Sequence, residues 1–244
     1  MTAMLRRAQP LLGTLVEVGA PVGSESALQD ALNAIAVLQA QLSRFEPESE
    51  IARFNALPAG SDLQIGSLCL QALEAAQRLR DDSDGLFDVS LGTGVEGWRL
   101  TGNRLRKLHA GVLLDLGGIA KGQAVDLAVE TLRLRGCACG WVNAGGDLRV
   151  FGDLEVPVML RDEAAGGTRE FARLQDGAFA TSHYAADSRS TLSPRREAHV
   201  SVAAPRCLWA DALTKVIALS GCTDDPILSR YDARAWRHDA PRSQ

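Results

Sequence analysis

Residues 114–122 read LDLGGIAKG, and this stretch sets our expectation of both the fold and the ligand site. Three of residues 113–116 are leucines, which predicts a short strand, and the apolar periodicity of residues 120–134 predicts a helix. Gly117 and Gly118 lie between the two, where paired glycines let the backbone approach a ligand closely. Because the free N–H groups at a helix start attract anions, the stretch predicts a turn that holds the pyrophosphate of a nucleotide.

Helices and strands follow one another irregularly on both sides of this turn. Periodic apolar positions predict further helices over residues 24–42, 65–80 and 209–220. Short β-branched stretches predict strands, which cover residues 12–18, 140–143, 148–151, 156–160, 178–181 and 198–203. Because the strands cluster in runs, we predict an α+β fold with largely antiparallel sheets and packed helices. Residues 94–109 are predicted to form a loop, the weakest candidate boundary, so we treat residues 1–244 as a single domain.

The composition narrows the classes of protein that fit the chain. Its 26 basic and 30 acidic residues are spread along 244 positions without a basic stripe, which argues against nucleic-acid binding. The five cysteines lack CxxC spacing, and no apolar run reaches the roughly 18 residues that a membrane span needs. No signal segment precedes Leu11 and no lipid-bearing cysteine precedes Cys69, which predicts a cytoplasmic protein; a longer native N-terminus would indicate export.

Six stretches carry the remaining chemical information, and they occur in one order. They are LGT at 12–14, SRFEPESEIARFN at 43–55, GLFD at 85–88, DLGGIAKGQAVD at 115–126, NAGGD at 143–147 and ADAL at 210–213. The glycine turn has neither the GxxxxGK[ST] spacing of a P-loop nor the GxGxxG pattern of a dinucleotide-binding turn. In this order the six stretches resemble the ApbE family, the FAD:protein FMN transferases, over about residues 11–221.

The resemblance implies an ApbE-like, T-fold-like architecture and a specific activity. Members of the family bind FAD and Mg²⁺, break the pyrophosphate, and attach FMN to a threonine or serine of an acceptor flavoprotein. The acceptor carries a motif of the type Asp-x-x-Ser/Thr-Gly-Ala-Ser/Thr. Positioning and charge neutralisation supply most of the catalysis in phosphoryl transfer, so the resemblance predicts an enzyme whose charged residues surround the pyrophosphate.

Residue by residue, the resemblance implies three sets of site residues. The residues expected to contact FAD are Leu12, Phe45, Leu86, Phe87, Asp88, Asp115, Lys121 and Leu192. The residues expected at the metal are Gly118, through its carbonyl, Asp211 and Thr214. Asp211 and Lys215 are expected to be catalytic.

The chain departs from the family pattern at two places. Lys215 stands where the family has a metal-binding threonine, and Thr214 lies one residue too early, roughly 100° round a helix. Ser190 and Ser193 stand where the family has a histidine and an aspartate. The Lys215 ammonium either lies near the diphosphate and replaces part of the Mg²⁺ charge, or it points into solvent.

Two further functions therefore stay open beside the transferase. One is an FAD-binding protein with reduced or lost transferase activity, and the other is an FAD pyrophosphatase that releases FMN and AMP. His183 is interpreted as a loop histidine without a catalytic role, with a substrate contact as the alternative. The sequence does not predict an oligomeric state.

Overall fold

The protein is described by a computed structural model that covers residues 3–161, 167–184 and 198–238. Its strands in chain order are β1 (Met4–Leu11), β2 (Thr14–Pro21), β3 (Asp62–Gln64), β4 (Trp98–Thr101), β5 (Arg104–Lys107), β6 (Gly140–Ala144), β7 (Asp147–Arg161), β8 (Thr168–Tyr184), β9 (Ala198–Ala204) and β10 (Arg234–His238). Its α-helices are α1 (Glu25–Leu42), α2 (Glu50–Ala56), α3 (Ser67–Asp82), α4 (Ala120–Leu134), α5 (Cys207–Ser220) and α6 (Ile227–Arg230).

The strands form two antiparallel sheets within the described residues. The larger sheet has the order β1-β2-β6-β7-β8-β9-β10, and every neighbouring pair in it is antiparallel. The smaller sheet has the order β3-β5-β4. The predicted α+β class with largely antiparallel sheets is therefore confirmed.

One face of the large sheet is covered by helices. Helix α4 packs against β6, β7, α1 and α5, and α5 packs in turn against β8 and β9. The apolar residues of α1 that predicted this helix, among them Leu28, Leu32, Ile35 and Leu38, are all buried. Burial of a stripe with helical periodicity is what holds an amphipathic helix on a sheet.

Strand β7 shows that the sheet buries residues on both faces. Asp147, Arg149 and Phe151 alternate with Leu148 and Val150, and all five side chains are buried. Phe151 belongs to the main core under the helices, whereas Leu148 and Val150 belong to a second apolar cluster on the opposite face. Successive side chains of a strand point to opposite faces, so the same segment directs Asp147 and Arg149 toward the helices.

Three local predictions were wrong. Residues 113–116 are not a strand, because the side chain of Asn55 satisfies the backbone of Leu114 in place of a neighbouring strand. Residues 94–109, predicted as a loop, contain a 3₁₀ turn at Val95–Gly97 and the β4-β5 hairpin. The segments 148–151 and 156–160 are parts of one long strand, β7, whose pairing with β8 shifts register between them.

None of the helices in the described part of the chain is both long and apolar enough to span a bilayer.

The end of α3 is tied to the C-terminal part of the chain through Asp82. Its carboxylate accepts hydrogen bonds from the Tyr231 hydroxyl at 2.6 Å and from Arg230 Nη1 at 2.7 Å. The Tyr231 hydrogen bond, helped by Arg230, lowers the pKa of Asp82 below its ordinary value. A carboxylate with a lowered pKa stabilises the folded state above its unfolded pKa, and this contribution is lost as the pH falls through the folded pKa.

We expect Asp82→Asn to lower the free energy of unfolding by about 1 kcal/mol at pH 7. The difference from the wild type should shrink as the pH falls below about 4, where the wild-type carboxylate becomes protonated. Urea unfolding of both proteins between pH 3 and pH 7 measures this. A difference that stays constant over that range would show that the charge of Asp82 is not what stabilises this contact.

Candidate functional site

A cavity of about 330 Å³ opens between the glycine turn, the loop after α3, β8 and α5. Its lining combines aromatic, acidic and basic side chains with exposed glycine backbone, and consists of Phe45, Leu86, Phe87, Asp88, Val89, Leu91, Asp115, Gly117, Gly118, Ser182, His183, Tyr184, Lys215 and Leu219. A cavity of this size with an apolar wall and a few polar groups is typical of a small-molecule site.

The glycine turn is held in place by side chains from elsewhere in the chain. Asn55 donates from Nδ2 to the carbonyl of Leu114 at 2.9 Å and accepts from its N–H at 2.7 Å. Asp115 accepts the N–H of Gly117 through Oδ1 at 2.8 Å and pairs through Oδ2 with Arg44 Nε at 3.0 Å. These contacts fix the backbone of the turn before any ligand binds.

Two phenylalanines line different parts of the cavity. Phe87 is buried beneath the turn, and a methyl group built on Gly118 would lie 3.5 Å from its ring. Phe45 is 69% exposed, and the Arg44 guanidinium lies 4.5 Å from its ring centroid. An exposed large apolar side chain at the edge of a cavity is a candidate contact for an apolar ligand.

Helices α4 and α5 each supply a carboxylate to the N-terminus of the other. Asp126 of α4 accepts the N–H groups of Cys207 and Leu208 at 2.9 and 3.1 Å, at the start of α5. Asp211 of α5 accepts the N–H of Gly122 at 3.1 Å, in the first turn of α4. A carboxylate at a helix N-terminus satisfies free N–H groups and interacts favourably with the helix dipole. This reciprocal capping fixes the position of Asp211 relative to the glycine turn.

Lys121 and the buried Asp147 form an ion pair beside Asp211. Lys121 Nζ lies 2.5 Å from Asp147 Oδ2, and Asp147 is fully buried. Burial raises the pKa of Asp147 to about 6, and the charge of Asp211 adds to this rise while Lys121 opposes it. Burial also lowers the pKa of Lys121, but the charges of Asp211 and Asp147 outweigh it and raise that pKa above its ordinary value.

Lys215 lies at the floor of the cavity rather than in solvent. Its Nζ donates to the Asp211 carboxylate through Oδ1, to the Asp211 carbonyl at 2.9 Å and to Ser182 Oγ at 3.0 Å. A methyl group built on Gly118 would lie 3.8 Å from Lys215 Cε. Of the two interpretations of Lys215 from the sequence, the structure favours the one that directs the ammonium into the site.

Thr214 is buried beside Lys215 and contacts two of the three oxygens that Lys215 contacts. Its hydroxyl lies 2.6 Å from the Asp211 carbonyl and 2.8 Å from Ser182 Oγ. Within the described residues, no group of three or more histidine, cysteine, aspartate or glutamate side chains is arranged to hold a metal ion.

The predicted FAD contacts divide into three groups in the structure. Those that line the cavity are Phe45, Leu86, Phe87, Asp88 and Asp115. Leu12, in the β1-β2 turn, and Lys121, paired with Asp147, are not among the described residues that line it. Leu192, like Ser190 and Ser193, falls in 185–197, outside the described residues.

Asp88 lines the cavity, but its carboxylate also organises its own loop. Oδ1 accepts the N–H of Ser90 at 2.8 Å, and Oδ2 accepts the Ser90 hydroxyl at 2.8 Å and the N–H of Gly92 at 3.0 Å.

Seven cavity residues were not among the predicted site residues: Val89, Leu91, Gly117, Ser182, His183, Tyr184 and Leu219. Three of them, Ser182, His183 and Tyr184, lie on β8. The interpretation of His183 as a loop residue was wrong, because it pairs with His199 across β8 and β9, with Nδ1 2.8 Å from Nε2 of His199. The strand predicted from the sequence ended at residue 181, and no local motif extended it to the three β8 residues.

Comparison with known proteins gives consistent matches. A model of the ApbE family matches residues 12–107 and 99–230. A protein of Rhodobacter capsulatus named FAD:protein FMN transferase is 29% identical over 178 residues, which cover 59% of this chain and 34% of the relative. A Vibrio cholerae protein of the same name is 26% identical over 141 residues, covering 46% and 42%. The matched parts thus span between a third and about two-fifths of these curated relatives.

Solved structures share the fold at low sequence identity. The apo flavinyl transferase ApbE of Pseudomonas stutzeri superimposes with a TM-score of 0.81 at 22% identity, over 98% of this chain and 92% of that one. The ApbE protein of Thermotoga maritima gives a TM-score of 0.82 at 20% identity, over 98% and 97%. These likenesses establish the fold.

Proposed function

Because this chain belongs to the ApbE family, we propose that it is an FAD:protein FMN transferase, an enzyme that moves FMN from FAD to a threonine or serine of an acceptor flavoprotein. The observation that carries this proposal is the cavity, in which a backbone turn at a helix start and a lysine ammonium face buried and exposed aromatic rings. An apolar ring system joined to a pyrophosphate is the kind of ligand that such a combination fits.

The two halves of FAD would contact different parts of the cavity. Phe45, Phe87 and Tyr184 offer apolar surface to the flavin ring. Gly118 of the glycine turn and Lys215 line the same cavity, and the Lys215 ammonium offers positive charge to the pyrophosphate. The sequence likewise predicts that the glycine turn holds the pyrophosphate.

The proposed reaction breaks the pyrophosphate and forms one new ester. The acceptor hydroxyl oxygen forms a bond to the phosphorus of the FMN half, the bond between that phosphorus and the bridging oxygen breaks, and AMP leaves. The hydroxyl proton ends on AMP or in the solvent. Charge that develops on the phosphoryl oxygens and on the leaving phosphate needs a fixed positive group close by. We propose that the acceptor carries an Asp-x-x-Ser/Thr-Gly-Ala-Ser/Thr motif.

Binding of Mg²⁺ stays a prediction, and the oxygens of Asp211 and Thr214, as they are arranged in this chain, do not fit it. Both carboxylate oxygens of Asp211 are engaged, one by Lys215 and the other by the N–H of Gly122. Thr214 directs its hydroxyl toward the Asp211 carbonyl and Ser182. A divalent cation at Asp211 would have to displace the ammonium, so no step is assigned to a metal.

Product analysis tests the proposed function. The purified protein is incubated with FAD and an acceptor protein that carries the motif, and the flavins are then separated by chromatography. We expect flavin on the acceptor and an equal amount of AMP, and no flavin on a matched acceptor whose terminal motif Ser/Thr is replaced by alanine. Free FMN with AMP would indicate a pyrophosphatase, and FAD that stays unchanged and bound to the protein in EDTA and in Mg²⁺ alike would indicate a binding protein; either result overturns the transferase.

A further inference from the structure

We propose that the Lys215 ammonium is the resident cation of this site, so that the ammonium, and not a divalent metal, is the positive group that contacts the pyrophosphate. The inference rests on the proposed function, because it concerns the charge that the same reaction requires. Three oxygens surround the Lys215 nitrogen: Oδ1 and the carbonyl oxygen of Asp211, and Oγ of Ser182.

All hydrogen-bond donors of the Lys215 ammonium are used within the protein. An ammonium has three N–H donors, and the three contacts of Lys215 use all of them. The nitrogen is thus surrounded by oxygens in the way that a bound hard cation would be, with one carboxylate, one carbonyl and one hydroxyl. The side chain that supplies it is only 18% exposed, so this arrangement is enclosed rather than superficial.

The spacing of Asp211 and Lys215 along α5 determines which carboxylate the ammonium contacts. Lys215 follows Asp211 by four residues, which places both side chains on one face of the helix. The carboxylate cannot move to another partner easily, because its second oxygen accepts the N–H of Gly122 from α4. Asp211 is therefore a positioning residue that holds the ammonium at the end of the glycine turn.

The Lys215 ammonium is accessible to a ligand in the cavity. Ser182 and Lys215 both line the cavity, and Lys215 Cε lies next to Gly118 of the turn. A phosphate oxygen that enters the cavity replaces the Ser182 hydroxyl as one acceptor of the ammonium. Ser182 keeps a hydrogen-bond partner in this exchange, because the Thr214 hydroxyl lies 2.8 Å from it.

Charge distinguishes this arrangement from a metal centre. Asp211 and Lys215 together are neutral, whereas Asp211 with a divalent cation would carry one net positive charge. The chain therefore gives a weaker field at the pyrophosphate than a metal would give at the same point. Lys215→Thr would remove the ammonium and leave the Asp211 carboxylate and the hydroxyls of Ser182 and Thr214 available to a metal ion.

Manganese binding and metal-free transfer test the proposal together. Binding of Mn²⁺ is followed by electron paramagnetic resonance for the wild type and for Lys215→Thr, with Arg230→Thr as a control that removes a positive charge from a residue that does not line the cavity. Flavin transfer is measured for the same proteins in EDTA and in Mg²⁺. Thermal unfolding checks that each variant is folded, and Lys215→Arg serves as a second variant that keeps the charge.

The proposal predicts that the wild type and Arg230→Thr bind no Mn²⁺ and transfer flavin at the same rate in EDTA and in Mg²⁺. Lys215→Thr should bind Mn²⁺, lose about a hundredfold or more of the EDTA rate, and regain transfer when Mg²⁺ is added. Mn²⁺ binding by the wild type, or wild-type transfer that requires Mg²⁺, would overturn it while leaving the transferase intact. If no protein transfers flavin under either condition, the proposed function fails, and Mn²⁺ binding alone then decides whether Lys215 occupies the cation site.

Discussion

Asp211→Asn should lower the rate of flavin transfer by about a thousandfold. The substitution keeps the shape of the side chain but removes the charge that holds the Lys215 ammonium and that accepts the N–H of Gly122. The amide can still accept one of these hydrogen bonds, so its NH₂ group must face either the ammonium or the backbone N–H. In the first case the ammonium loses its carboxylate acceptor, and in the second the side chain loses its contact with α4, so in either case the ammonium is no longer fixed at the glycine turn.

Steady-state kinetics and FAD binding separate this effect from general damage. We expect kcat to fall while the Kd for FAD changes by less than about tenfold, because Asp211 acts through Lys215 and the aromatic wall remains. Asp224→Asn removes an exposed carboxylate after α5 and should leave both quantities unchanged. A kcat for Asp211→Asn within about threefold of the wild type would contradict the role given to Asp211.

Gly122→Ala should destabilise the protein by about 3 kcal/mol. A Cβ at this position would lie 2.3 Å from the carbonyl oxygen of Cys207 and 2.8 Å from Cα of Leu208. Both neighbours are backbone atoms, so no side-chain rotation relieves the clash and α4 and α5 must separate. Separation weakens the contact of Asp211 with α4 and that of Asp126 with α5, which together position the site.

Urea unfolding measures this loss against a matched glycine. Gly111→Ala introduces the same methyl group where no atom lies within 4 Å, and it should change the free energy of unfolding by less than about 0.5 kcal/mol. Gly122→Ala should also transfer flavin more slowly than Gly111→Ala at a temperature where both are folded. Equal stability of the two variants would show that the helices can move apart without cost.

The four long helices, α1, α3, α4 and α5, could be predicted from the sequence because the apolar residues of each recur at a helical period, whereas the short α2 and α6 were not predicted. The stripe Leu28, Leu32, Ile35 and Leu38 needs only its own spacing to indicate a buried face. The reciprocal capping by Asp126 and Asp211 could not be predicted in the same way. It depends on the crossing of two helices that are far apart in the chain, and the sequence gives no direct signal for that crossing.

The residues of the candidate site also divide into those that local motifs predict and those that only the packing of distant segments brings together. The glycine turn and its neighbours Phe87 and Asp115 were predicted from motifs that are contiguous in sequence. Ser182 and Tyr184 enter the cavity through the pairing of β8, which no local motif indicates. The two interpretations of Lys215 could not be separated by sequence, because the choice depends on where Asp211 and Ser182 place their oxygens.

The mass of the acceptor protein tests the central claim most directly. After incubation with FAD and the wild-type protein in EDTA, intact-mass spectrometry should show an acceptor heavier by one FMN less one water. The same reaction with Asp211→Asn should leave the acceptor almost unmodified over the same time. An acceptor of unchanged mass after prolonged incubation of the wild type with FAD, in EDTA and in Mg²⁺ alike, would contradict the assignment of this cavity as a flavin transferase site.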